Sequence, residues 1–77
     1  MKIYIVNCTF NLTQTVIDCA FLKAADADAY INELNGDKAK AIARCKELIA
    51  MREGEDMVPY LVEESAVGFG IVAVELK

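Results

Sequence analysis

With 77 residues, 56% of them apolar, the chain is long enough for one domain on one small core and too short for two. Eight basic residues stand against twelve acidic ones, for a formal net charge of −4. That balance excludes the basic surface that nucleic acid or an anionic membrane requires, and no apolar stretch approaches the ~20 residues of a membrane span.

A core of this size supplies only about 3–5 kcal/mol, so small domains commonly add a disulfide, a metal or a partner chain. Cys8, Cys19 and Cys45 are odd in number and widely spaced, which argues against a disulfide framework. The first apolar run, Ile3 to Val6, is too short for a secretory segment and lacks a small-residue cleavage site, so a reducing, cytoplasmic setting is expected. The sequons Asn7-Cys8-Thr9 and Asn11-Leu12-Thr13 are then chance occurrences. There is no histidine, no Cys-x-x-Cys pair and no calcium-loop spacing, so no metal or other cofactor is expected. Association with another chain is left as the supplement to the core.

Residues 2–10 are rich in β-branched and aromatic side chains and predict a strand. Residues 11–14 are a polar connection of hairpin length, and residues 15–22 predict a second strand antiparallel to the first. From Ala24 the period becomes helical. Ala27, Tyr30, Ile31 and Leu34 share one face, Asp26 and Asp28 lie at the favourable N-terminal end, and Asn35-Gly36 ends the helix with glycine at a left-handed position. Asp37 suits the N-cap of a second helix over 38–53 that buries Ala41, Ile42, Cys45, Leu48 and Ile49 and stops at Gly54. Strand three is expected at Val58–Glu63, with Pro59 near its start, and strand four at Phe69–Leu76. The reading is a single α+β domain over residues 1–77, ordered ββααββ: a four-stranded, mainly antiparallel sheet with a two-helix hairpin packed on one face.

Three of these strands are apolar on both sides, where a half-buried strand should alternate. Taking Asn7, Asp18 and Glu75 as markers of the outer face puts Tyr4, Val6, Cys8, Phe10, Ile17, Cys19, Phe21, Val72, Val74 and Leu76 in the core. The outer face then shows Ile3, Ile5, Val16, Ala20, Ile71 and Ala73, with Asp18 and Glu75 among them. An apolar patch of that kind marks an interaction site. One helix on each face would instead bury the sheet on both sides.

Catalytic groups are sparse. Without histidine the usual base near neutral pH is missing, and Ser65, the only serine, has no base beside it in sequence. Gly68-Phe69-Gly70 reads as a turn followed by a strand glycine, not as a phosphate loop. Cys8 and Cys19, which come near each other across the first hairpin, read as small core residues. Asp26/Asp28 and Glu63/Glu64 read as helix-terminal and surface carboxylates, and Tyr30 as packed.

Lys2-Ile3-Tyr4-Ile5-Val6, Val16-Ile17-Asp18-Cys19-Ala20-Phe21-Leu22 and Ala27-Asp28-Ala29-Tyr30-Ile31 together resemble a pattern among short phage- and prophage-encoded accessory proteins. Those begin with a K-x-Y-x-V strand, pass through a strand ending in an aromatic, and enter a helix containing A-x-x-Y-I. The resemblance covers roughly the first 35 residues, and the second long helix at 38–53 departs from it. It implies a phage-type accessory protein, a group that includes inhibitors of host defence such as anti-CRISPR proteins, and carries over no functional residue.

The functional expectation is a non-enzymatic protein-binding module acting on a host protein. Its surface is the apolar sheet face of Ile3, Ile5, Asp18, Ala20, Ile71 and Glu75, with Glu53, Glu55 and Asp56 as an acidic rim. A homodimer spending the same face on a second copy is the first alternative. A small-ligand protein or enzyme is the other.

Overall fold

The computed structural model describes residues 1–77. Its strands are β1 (Lys2–Thr9), β2 (Thr15–Phe21) and β3 (Gly68–Glu75), and its helices are α1 (Ala24–Asn35), α2 (Lys38–Glu53) and the single turn α3 (Val58–Leu61). The three strands form one antiparallel sheet in the order β2-β1-β3, with β1 in the centre.

The hairpin between β1 and β2 is closed by the Phe10 amide donating to the Gln14 carbonyl at 3.2 Å, and Asn11 Oδ1 accepts from the Thr13 amide at 3.0 Å. That is the local Asx bonding that lets asparagine shape a turn. Asp37 caps α2 by accepting from the Lys40 amide at 3.2 Å. The α1–α2 connection departs from expectation at Gly36, which keeps a right-handed backbone (φ −82°) and passes straight into the Asp37 cap. The left-handed glycine is Gly54 at the end of α2, with φ 96°.

The core packs Val6 and Cys8 of β1, Phe10 just beyond its end and Phe69 of β3 against Ala27, Leu34, Ala41, Cys45, Leu48 and Ile49. Alternate residues of a strand share a face, so both long helices lie on the even-numbered side of β1. Alanine and cysteine at the contacts let the helices approach the sheet closely, and Phe10 fills the space toward the end of α2, where the Arg52 guanidinium stands 5.2 Å from its ring centroid.

The expected four-stranded sheet is wrong: the segment predicted as strand three is helical. Val58, Leu61 and Val62 lie at i, i+3 and i+4 and are the residues that pack on the core, while Tyr60 is 83% exposed. A strand would have put Val58, Tyr60 and Val62 on one side. Pro59 sits in the first turn of α3, where its missing N–H would have had no partner anyway. Five residues carry both the helical and the strand period, so periodicity could not separate them. Two bonds tie this segment to the hairpin: the Glu63 amide donates to the Phe10 carbonyl at 2.8 Å, and Asn11 Nδ2 donates to the Leu61 carbonyl at 3.3 Å.

Candidate functional site

The sheet's two faces are decided by registers that alternation does not reveal. In β2, Cys19 stands opposite Val6 but Ile17 stands opposite Asn7, so Asp18 is an extra residue and β2 bulges there. The bulge reverses the alternation. Val16 joins Cys19 and Phe21 on the helix side, and Ile17, predicted to be core, is 65% exposed on the outer face. In β3, Phe69 and Ile71 stand opposite Cys8 and Val6 and so face the helices. Val72 and Val74, predicted to be core, stand opposite Ile5 and Ile3 on the outer face.

Two of the three polar markers therefore pointed the wrong way. The Asp18 side chain has no exposed surface and faces inward. Its Oδ1 accepts from Arg44 Nη2 at 2.6 Å and Nε at 3.2 Å, and its Oδ2 accepts from the Tyr30 hydroxyl. Glu75 stands opposite Lys2 at the end of the sheet, where solvent reaches both sides, and pairs with the N-terminal ammonium at 3.2 Å. Ile71 packs against the core. Ile3, Ile5 and Ala20 do lie on the outer face. Glu53 at the end of α2, and Glu55 and Asp56 in the connection to α3, are exposed within the helical layer and do not rim the sheet.

The outer face is thus Ile3 and Ile5 from β1, Ile17 and Ala20 from β2, and Val72 and Val74 from β3, grading into Asn7, Thr9, Thr15, Gly68 and Gly70 at the other end. None of the six apolar residues belongs to the core or packs against it. All three charged residues in the strands, Lys2, Asp18 and Glu75, lie on the opposite side. In a chain with 26% charged residues, one whole sheet face carries no charge. A sequence signal for the β3 residues was present: glycine has nothing to bury, so Phe69 between Gly68 and Gly70 marks the packed side. Ile17 had no such signal.

A second surface is an open groove of about 510 Å³ lined by Tyr30, Leu34, Lys40, Ala43, Arg44 and Glu47. Its polar groups are already engaged. Arg44 is bonded to Asp18 and, through Nη1 at 2.6 Å, to Glu47, while Lys40 is bonded to Glu33. The bonds to Asp18 raise the Arg44 pKa, and burial followed by the bond to Asp18 pushes Tyr30 up to about 12. A ligand there would have to displace carboxylates of the chain itself, so the groove serves to lock β2 to the helices.

Elsewhere, Ser65 Oγ meets only Glu63 Oε1 at 3.4 Å on the exposed surface. Cys8 stands opposite Val16 in the sheet and meets Cys45 of α2, not Cys19; burial, then that contact, raises the Cys8 pKa. No helix is long and apolar enough to cross a membrane. Comparison with family models, with curated proteins and with solved structures found no match to the chain.

Proposed function

We propose that this chain is a non-catalytic protein-binding module whose working surface is the outer face of its sheet. The observation that carries the reading is the sorting of charge: Ile3, Ile5, Ile17, Val72 and Val74 share a face without a charged group, and all the helices lie on the other. Isolated exposed apolar side chains are ordinary on any surface, whereas a contiguous set on a rigid sheet marks a place where another surface docks. The resemblance of residues 2–31 to phage accessory proteins makes a host protein the class of foreign partner that fits, including a component of host defence.

The test is a pair of charge substitutions at exposed positions, Ile17→Glu and Val72→Glu. Both leave the core untouched, so circular dichroism and the melting temperature are expected to change little. Self-association and capture of protein partners are expected to be lost together. A variant that keeps both shows that the face is not the working surface.

A further inference from the structure

We infer that the occupant of the outer sheet face is a second copy of this chain, docked face to face about a two-fold axis passing near Ile5. The inference rests on the reading of that face as the working surface. Three observations carry it.

The first is charge. A face that selects a foreign protein normally presents charged groups complementary to that partner. This one presents none, and an apolar, uncharged face is complementary to its own copy without further adjustment. The isologous arrangement requires just that self-match.

The second is where the charge went. Segment 53–64 contains Glu53, Glu55, Asp56, Glu63 and Glu64 and no basic residue. Arg52 and Lys46 of α2 pair with Glu53 and Glu64, which leaves Glu55, Asp56 and Glu63 without an ion partner. The segment lies beyond the sheet in the helical layer, tied to the Phe10 carbonyl on the hairpin loop. Sheets packed face to face are ~10 Å apart. The acidic segments of two copies joined through their sheets then lie farther apart than the ~8 Å screening length at physiological salt. Two copies approaching through these segments would meet like charge at close range.

The third is shape and size. Gly68 and Gly70 leave one end of the face without relief, and Ile5, flanked by Ala20 and Val72, stands at the centre of its apolar half. Three strands at ~4.8 Å spacing and ~3.3 Å rise give a footprint of roughly 350 Å² per copy. That is less than half of the ~800 Å² per partner of a standard stable interface, so the dimer is expected to be weak, rapidly reversible and populated only toward the upper end of the concentration range.

Sedimentation velocity from low micromolar to near-millimolar concentration tests this. The intact chain is expected to shift from monomer to dimer, with no larger species, and the shift to survive high salt. Val72→Glu and Val72→Lys are each expected to remain monomeric. An equimolar mixture of the two is expected to recover association, because a two-fold axis running across the strands at the level of Ile5 and Val72 brings residue 72 of each copy close to its counterpart. Circular dichroism confirms that both variants fold, and Ile17→Glu provides an independent block.

A wild-type chain that stays monomeric throughout overturns the inference. If Val72→Glu then still abolishes capture of a foreign protein, the face remains the working surface and only its occupant was wrong. A dimer that persists in both Val72→Glu and Ile17→Glu also overturns it, and points to pairing through the free edges of β2 and β3.

Discussion

Arg44 on α2 and Asp18 in the β2 bulge form the one ion pair that is shielded from solvent on the acid side: Nη2 lies 2.6 Å from Oδ1, and the Asp18 side chain has no exposed surface. The Tyr30 hydroxyl of α1 binds the second carboxylate oxygen, so one residue of an edge strand is held by both long helices. Every buried polar side-chain atom has a partner.

Removing Arg44 strands a carboxylate in the interior. The Arg44→Leu variant is expected to lose stability at the lower end of the ~3–5 kcal/mol typical of breaking a buried pair, because Tyr30 still donates one bond. Adding Asp18→Asn is expected to recover much of the loss. Urea denaturation of the single and double variants measures both. Equal stability of Arg44→Leu and the parent would show that the pair holds nothing.

Alkaline pH is expected to lower the stability of the domain. Tyr30 is raised to about 12 from an ordinary 10.0 by burial and then by its bond to Asp18. Burial likewise raises Cys8, Cys19 and Cys45 above their ordinary 9.0. Each group is held protonated in the folded chain and releases its proton more easily when unfolded. Stability from these shifts is therefore complete below pH 9.0 and falls as unfolded thiols ionise above it, and Tyr30 adds its loss between pH 10.0 and about 12. Melting temperature followed from neutral pH upward should show that decline, and Tyr30→Phe should lack its upper part.

Gly54 ends α2 with φ 96° and ψ 150°, a backbone region that a side chain disfavours, although a Cβ there would meet nothing within 4 Å. The cost of Gly54→Ala is thus conformational and is expected to be about 1–3 kcal/mol. Chemical denaturation should show a lower midpoint with an unchanged slope. A neutral outcome would mean that the α2–α3 connection relaxes to another path.

The amino-acid order was enough to place most local elements, because each is set by neighbours along the chain. The change of period at Ala24, the cap at Asp37 and the turn at Asn11 all act within four residues and hold in the structure. Val58–Val62 failed on the same ground, since one helical turn and a short strand use the same apolar spacing and only contact with the core chooses between them.

The faces of the sheet belong to tertiary structure alone. A period of two fixes which residues share a side and says nothing of which side is covered, and one inserted residue reverses it. Asp18 looked like a solvent marker because an unpaired carboxylate cannot be buried; Arg44, 26 positions away, removes that objection. Patterning showed strands apolar on both sides and left open whether one face or both would be covered; both long helices packing on the same side is a tertiary outcome. The bulge at Asp18 and the pairing of β3 with β1 decided that the uncovered face consists of Ile17, Val72 and Val74 beside Ile3 and Ile5, because register is set by contacts between distant residues.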